Sequence, residues 1–161
     1  MVLKNQVEWA LHCCAILAGI PEGRYLATRD LAQLHGVPKE YLSKALQALS
    51  QAGIVDTTLG PTGGYRLAQA PANITFLDIV EAVDGSPSTF VCTEIRKNNP
   101  CRPTGIKDTK ICAIAQVMYG ADEAWRTHLR NVRLSDLLEK LTRDLPVSLT
   151  RALQGWIEAR V

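Results

Sequence analysis

The spacing of apolar residues predicts a chain built mainly of helices. Apolar side chains recur at three- and four-residue steps over residues 2–18, 111–129 and 145–161, and each of these stretches is therefore expected to form an amphipathic helix. A further helix over residues 76–83 is predicted because Thr75 is a suitable N-cap in front of it. The predicted fold class is mainly α with a small β-wing.

Two short helices around a tight break predict a helix-turn-helix. Thr28 is expected to cap a helix over residues 29–34, and Pro38 is placed to begin a second helix that runs to about Ala52. A glycine, Gly36, lies in the break between them. The apolar face of the second helix is expected to consist of Leu42, Ala45, Leu46 and Leu49.

A β-hairpin is predicted directly after the helix-turn-helix. Residues 54–58 and 65–68 are expected to form two short strands, joined by a loop of three glycines and a proline over 59–64. Such a hairpin in this position is typical of the wing of a winged helix, and small side chains at its tip suit close approach to phosphates or to a minor groove.

Composition and charge leave the class of partner open. The 161 residues are 47% hydrophobic and 21% charged, with a formal net charge of +2. The first seventy residues carry six Lys/Arg against five Asp/Glu, so any nucleic-acid contact must come from a local patch. No stretch is expected to span a membrane, and no signal peptide is predicted.

Five cysteines, two of them adjacent at Cys13 and Cys14, make a poor disulfide framework. They fit a reducing compartment, so a cytoplasmic location is expected. Three of the five, Cys92, Cys101 and Cys112, lie in an irregular stretch over residues 90–114. Soft thiolates together suit zinc or an iron–sulfur cluster, although the spacing is too wide for a zinc knuckle. The alternative is three cysteines without a metal.

The first predicted helix has two distinct faces. Cys14 falls on its apolar stripe and is expected to pack in the core, whereas Glu8 and His12 lie one turn apart on the opposite face. A carboxylate and an imidazole at this spacing form a two-ligand arrangement, but they equally suit a solvated helix face. Trp9 beside them needs a surface to cover it. The helix over 111–129 is expected to pair with its copy in a homodimer, the alternative being burial within one subunit.

Three motifs resemble the Rrf2 family of winged-helix transcriptional regulators, the family of IscR and NsrR. They are Lys-Glu-Tyr-Leu at 39–42, Gly-Pro-Thr-Gly-Gly-Tyr at 60–65, and Ile-Thr-Phe-Leu-Asp-Ile-Val-Glu-Ala-Val-Asp-Gly at 74–85. The resemblance extends from the N-terminus to about Leu141. It implies a DNA-binding regulator rather than an enzyme, reading a pseudo-palindromic operator in double-stranded DNA as a homodimer. Four segments are expected: the winged helix-turn-helix domain over 1–85, a cysteine-containing cluster-binding loop over 86–112, a dimerisation helix and following short helix over 113–141, and a C-terminal helical extension over 142–161.

Within the family, the chain is similar to the redox-sensing branch typified by RsrR. The shared residues are Glu-Trp-Ala-Leu-His at 8–12, Phe-Val-Cys-Thr-Glu-Ile-Arg at 90–96, and Cys112. That branch implies a 2Fe–2S cluster between subunits, with Cys92 and Cys112 from one chain and Glu8 and His12 from the other. Cys101 is a secondary candidate, since its gaps of eight and ten residues to its neighbours are wider than the family's usual spacing. Trp9 is a candidate redox-responsive neighbour, or alternatively a static interface plug.

The sequence therefore predicts a redox-sensing transcriptional regulator, acting as a repressor, controlled by the state of the cluster. The alternative is a regulator of the same fold without a cluster, answering to a metabolite or a thiol switch. A dimer is expected to present its recognition helices to successive major grooves. The residues expected to contact DNA are Arg29, Lys39, Glu40, Ser43, Lys44, Gln47, Thr62, Gly63 and Arg66.

Overall fold

The structure is a computed structural model that describes residues 3–60, 63–85 and 88–161. It confirms the predicted fold class: the chain is mostly helical, with a single two-stranded antiparallel sheet in the described residues. In chain order the elements are α1 (Asn5–Leu17), α2 (Thr28–His35), α3 (Lys39–Gln51), β1 (Val55–Thr58), β2 (Gly64–Leu67), α4 (Phe76–Asp84), α5 (Ala113–Arg130), α6 (Leu134–Asp144) and α7 (Val147–Glu158). Short 3-10 turns occur at Pro71–Asn73 and Ile95–Asn98.

The chain forms two compact units. One contains the cysteine-bearing stretch and most of α5, over residues 88–128, and the other contains the remaining described residues. The second unit, called the helix-turn-helix unit below, has a continuous hydrophobic core. Its fully buried side chains include Cys13, Cys14, Leu26, Leu31, Leu42, Leu46, Leu49, Ile74, Ile79 and Leu134. The predicted packing of Cys14 is confirmed, and Cys13 joins it.

The helix-turn-helix forms as predicted, but Thr28 is the first residue of α2 and not its N-cap, a position that Ala27 occupies without a side-chain hydrogen bond. Gly36 ends α2 in the left-handed conformation, with φ +63°, which a residue with a side chain adopts only at a cost. Pro38 lies at the N-cap of α3 rather than at its first position. The four predicted apolar residues of α3 are all buried: Leu42, Ala45, Leu46 and Leu49. The opposite face of the recognition helix is therefore turned away from the core.

The wing also forms as predicted, with a register that pairs Val55 with Leu67 and Thr58 with Gly64. Tyr65 bridges back to Leu26 through two backbone hydrogen bonds of 2.9 and 3.0 Å. Gly64 is required here, because a Cβ at this position would lie 2.2 Å from the Leu26 carbonyl oxygen. The wing is thus fastened to the segment that precedes α2.

The start of α4 carries a capping box. The Thr75 hydroxyl accepts from the Asp78 N–H at 3.1 Å, and the Asp78 carboxylate accepts from the Thr75 N–H at 2.8 Å. An isolated bridge joins Thr75 to Arg133. Helix α6 begins at Leu134, directly after this bridge. Helix α4 is thereby tied to the C-terminal part of the chain.

No helix in the described parts of the chain combines the length and apolar character needed to cross a membrane.

Candidate functional site

Helix α1 presents the predicted carboxylate and imidazole on its solvent side. Glu8 and His12 are both exposed, one turn apart. On the other side of the helix, the buried residues are Val7, Ala10, Cys13, Cys14 and Leu17. Burial of α1 by this face leaves Glu8 and His12 free to meet another molecule.

An open groove lies beside these two side chains, within the helix-turn-helix unit. Its volume is about 420 Å³, and residues of α1, α4 and α6 line it. Most of the lining is apolar, including Leu11, Phe76 and Leu137, with Glu8 and His12 as its acidic and imidazole groups. Trp9 is half-buried and packs against the core, so part of its ring is already covered within one chain.

His12 contacts a second histidine. The ring centroids of His12 and His35 are 5.7 Å apart, with an angle of 53° between the ring planes. His35 is the last residue of α2, next to Gly36 in the turn of the helix-turn-helix. Burial lowers the pKa of His35, and the nearby His12 lowers it further by disfavouring a second positive charge. The Nε2 atom of His35 is buried without a hydrogen-bond partner in the described residues.

In the other unit, a network of charged groups organises the cysteine-bearing stretch. The Cys92 thiol donates to Oε1 of Glu94 at 3.7 Å, and Oε2 of the same carboxylate accepts from Nε of Arg96 at 2.9 Å. That hydrogen bond from Arg96 lowers the pKa of Glu94. Glu94 has φ +56°, the single non-glycine residue with positive φ among those described. The backbone strain places the Glu94 carboxylate between Cys92 and Arg96.

Arg96 also connects this network to the segment before α5. Its Nη2 donates to the Lys110 carbonyl oxygen at 2.8 Å, and its Nε lies 3.7 Å from Asp108. Asp108 in turn pairs with Arg102 at 2.8 Å. Cys101, by contrast, is exposed, and its contact is local: its backbone N–H donates to the Asn99 side chain at 2.9 Å. The stretch is therefore ordered by ion pairs in place of an apolar core.

Cys112 occupies the N-cap position of α5. Its carbonyl accepts the first helical hydrogen bond, from the Gln116 N–H at 2.9 Å. Hydrogen bonds from the backbone N–H groups of Ala115 and Ile114 lower the pKa of the Cys112 thiol, and the positive charge of Arg96 lowers it further. The two cysteines of α1 differ sharply, because burial raises the pKa of Cys13 to about 12 and that of Cys14 further still.

Helix α5 leaves a row of apolar side chains in solvent. Ile114 and Val117 are 68% and 72% exposed, and Met118 lies on the same side of the helix at 38%. Asp122, which interrupts the predicted stripe, pairs with Arg126 at 3.3 Å. An exposed apolar row of this kind on a long helix is typical of a protein interface.

The predicted DNA contacts fall mainly on the helix-turn-helix and the wing. On α3, Lys39, Glu40, Lys44 and Gln47 are exposed and Ser43 is half-buried. Arg29 is exposed in the first turn of α2, and Gly63 is half-buried at the wing. Arg66 pairs with Asp56 at 3.3 Å and stacks 4.9 Å from the Tyr25 ring, so it is engaged within the protein. Thr62 lies outside the described residues.

The donor set of each unit fits half of an asymmetric 2Fe–2S site. Cys92 and Cys112 supply thiols, one with a lowered pKa, and Glu8 and His12 supply a carboxylate and an imidazole on one exposed helix face. Across the described ranges of one chain, no three His, Cys, Asp or Glu side chains come together in a geometry that suits a metal ion.

Sequence reasoning missed two parts of this arrangement. Nothing local marks His35 as a partner of His12, because the tertiary fold brings the end of α2 to α1. Glu94 and Arg96 were part of the motif quoted at 90–96, and their opposite charges two residues apart beside a cysteine were a usable signal.

Comparison with known proteins places these observations in context. The family model for Rrf2, described as an iron-dependent transcriptional regulator, matches residues 3–140. The fold is similar to that of CymR of B. subtilis, described as the global cysteine regulator, at 21% identity and TM-score 0.65, over 87% of this chain and 98% of that one. It is also similar to the oxidised form of Staphylococcus aureus CymR, at 22% identity and TM-score 0.64, over 86% and 97% of the two chains. IscR of T. potens matches at 18% identity and TM-score 0.68, over 94% and 96%.

The environments of the five thiols predict a sharp order of reactivity. In protein free of any cluster, at mildly alkaline pH, we expect iodoacetamide to modify Cys112 faster than Cys101, because the thiolate is the reacting species and only Cys112 has a helix N-terminus to stabilise it. Cys13 and Cys14 should react only after unfolding. Time-resolved peptide mass spectrometry measures all five rates. Modification of Cys101 ahead of Cys112 would contradict this assignment.

Proposed function

The chain belongs to the Rrf2 family of transcriptional regulators, and on that premise we propose that it is a cytoplasmic, redox-sensing repressor that binds operator DNA as a homodimer. We propose that the sensor is a 2Fe–2S cluster shared between subunits, with Cys92 and Cys112 of one chain and Glu8 and His12 of the other as ligands. This places the chain in the redox-sensing branch typified by RsrR, with four functional segments over 1–85, 86–112, 113–141 and 142–161.

The observation that carries the proposal is the division of α1 into two faces. One face is buried in the core of the helix-turn-helix unit, and the other holds Glu8 and His12 in solvent beside an apolar groove. Ligands on such a helix are therefore part of the unit that carries the recognition helix.

Within each chain, the residues suit the roles assigned to them. Arg96 and the N-terminal N–H groups of α5 hold Cys112 towards its thiolate form, the form that ligates iron. Glu94 accepts a hydrogen bond from Cys92 and holds Arg96 in place, so the two cysteines share one charged support. When bound, a 2Fe–2S cluster supplies a one-electron change of charge next to these residues.

His35 provides the route from the ligand helix to the DNA. A shift or rotation of His12 changes the ring contact at 5.7 Å, and His35 ends α2 next to the turn that leads into α3. The recognition helix carries Lys39, Glu40, Ser43, Lys44 and Gln47 towards bases or phosphates, and Arg29 towards a phosphate. Two arrangements of this turn, differing in DNA affinity, are sufficient for a switch.

The exposed row on α5 suits the dimer interface. Ile114, Val117 and Met118 are placed to pack against the corresponding helix of a second copy, which removes apolar surface from water. A dimer also matches the two-fold symmetry of a pseudo-palindromic operator, with one recognition helix for each half-site.

A second candidate is a regulator of the same fold that uses a thiol switch without a cluster. The lowered pKa of Cys112 and the exposure of Cys101 favour it, because an activated thiolate and an accessible thiol are the ingredients of a disulfide or sulfenic acid switch. Iron and acid-labile sulfide measured after anaerobic purification separate the two candidates. A colourless protein that contains neither, and that no reconstitution loads, excludes the cluster.

The ligand set predicts which substitutions remove the cluster. We expect Cys92→Ala, Cys112→Ala and the double change Glu8→Ala with His12→Ala each to lose visible absorbance and bound iron, because each removes ligands from one side of the site. Cys101→Ala is the matched control and should retain the wild-type iron content. Retention of the cluster after loss of Cys112, or its loss in the Cys101 variant, would contradict the assignment.

The coupling route makes a separate prediction for His35. We expect His35→Gln to keep the cluster. The ratio of operator affinities between the oxidised and reduced forms should fall towards one, from a wild-type ratio within the roughly 5- to 150-fold range typical of allosteric coupling. The reason is that the variant removes the ring contact with the ligand His12 and leaves the ligands themselves intact.

Anaerobic fluorescence anisotropy on both redox forms measures this ratio. His128→Gln, at an exposed position on α5, is the matched control. An unchanged ratio in the His35 variant, with full iron content, would show that the signal takes another route.

A further inference from the structure

The C-terminal helix α7 lies beyond the part of the chain that the family model matches, yet it packs against the core of the helix-turn-helix unit. Ile157 is 5% exposed, and Trp156 and Val161 pack against the hydrophobic core. The Ile157 side chain also lies against Gly19, where its Cδ1 would be 3.7 Å from an added Cβ. The last residues of the chain are therefore held in a defined position.

Arg160 is the charged group that this docking places. Its guanidinium lies 4.1 Å from the centre of the Trp156 ring, and its Nη1 donates to the Trp156 carbonyl oxygen at 3.1 Å. Its Nε is 3.9 Å from the Asp30 carboxylate on α2. These contacts involve one face of the guanidinium plane and two of its nitrogen atoms, Nη1 and Nε. A planar guanidinium held in this way is pre-organised to bind a further anion.

Arg160 forms one wall of a polar cleft of about 690 Å³. Arg29, in the first turn of α2, and Arg24, in the segment before that helix, line a second wall. Thr58 and Gly63, at the tip end of the wing, line a third. Among the side chains that line the cleft, the guanidinium groups of Arg24, Arg29 and Arg160 outnumber the single carboxylate of Asp30. Arg29 has a side chain 76% exposed and is open to solvent.

We propose that this cleft binds a backbone phosphate of the DNA duplex, with Arg160 acting together with Arg24 and Arg29. The inference rests on the proposed DNA-binding function and assigns a DNA-binding role to the C-terminal extension. In a winged helix-turn-helix the helix before the recognition helix crosses the DNA backbone, and the tip of the wing approaches phosphates or a minor groove. Arginine pairs with phosphate through two parallel hydrogen bonds. An interaction of this kind strengthens binding without reading sequence.

The test compares Arg160→Gln with Arg151→Gln in the full-length protein. Arg151 is an exposed arginine on α7, the helix that precedes Arg160, lies outside the cleft and provides the matched control. Fluorescence anisotropy is measured at salt concentrations from about 50 to about 300 mM, a range over which phosphate-dependent affinity changes strongly. Two duplexes of equal length are used: the sequence recovered by selection from random DNA with wild-type protein, and an unselected sequence.

We expect Arg160→Gln to weaken binding to both duplexes by a similar factor, about tenfold at physiological salt for a dimer. The slope of log affinity against log salt should become shallower by roughly two, because each subunit then neutralises one phosphate fewer and each such phosphate accounts for about 0.9 of the slope. Arg160→Lys should retain most of the affinity, because it keeps the charge. Arg151→Gln should match the wild-type protein in affinity and slope.

Two results would overturn the inference while leaving DNA binding intact. One is an Arg160→Gln variant with the affinity and salt slope of the Arg151→Gln control. The other is equal loss of affinity in Arg160→Gln and Arg160→Lys, with an unchanged slope and a lowered melting temperature, which identifies Arg160 as a structural clamp on α7. Wild-type protein that selects no sequence and binds DNA without salt dependence would instead remove the proposed function, and this inference with it.

Discussion

The packing of α1 into the core of the helix-turn-helix unit is the constraint on which the rest of the structure depends. Val7, Ala10, Cys13, Cys14 and Leu17 are buried along one face, so the helix cannot slide or rotate without leaving cavities in a close-packed interior. The outward side chains are therefore held in fixed relation to the helix-turn-helix. Whatever binds Glu8 and His12 therefore acts on a helix that packs in the same core as the recognition helix.

The cysteine-bearing stretch is built on a different principle. It has few buried apolar groups, and opposite charges give it its order: Glu94 and Asp108 hold Arg96, and Asp108 holds Arg102. A network of partly exposed ion pairs is weaker than a hydrophobic core and responds more readily to a change of local charge. This contrast suits a sensor, because one unit carries the recognition helix on a packed apolar core and the stability of the second unit depends on electrostatics.

The sequence pattern predicted regular elements well because local rules determine them. The buried face of α3, the strands of the wing and the capped start of α4 each follow from periodicity, glycine placement or a capping residue. It failed where distant residues decide the outcome: the bridge between Thr75 and Arg133 fixes the chain directly before Leu134, the first residue of α6. The start of α7 at Val147 instead of residue 145 has a local cause, because Pro146 is its N-cap. The contact of His12 with His35 and the position of Arg160 arise only from tertiary packing. The ligand set came from family resemblance, and it stays a prediction.

The most direct test of the shared site is a complementation between two defective chains. One chain carries Cys92→Ala with Cys112→Ala, the other carries Glu8→Ala with His12→Ala, and the two are co-expressed with different affinity tags and purified as a heterodimer. If ligands come from both chains, neither homodimer holds a cluster, whereas the heterodimer regains one complete site and half the iron and sulfide of the wild-type dimer. A heterodimer as empty of iron as the two homodimers would contradict the account.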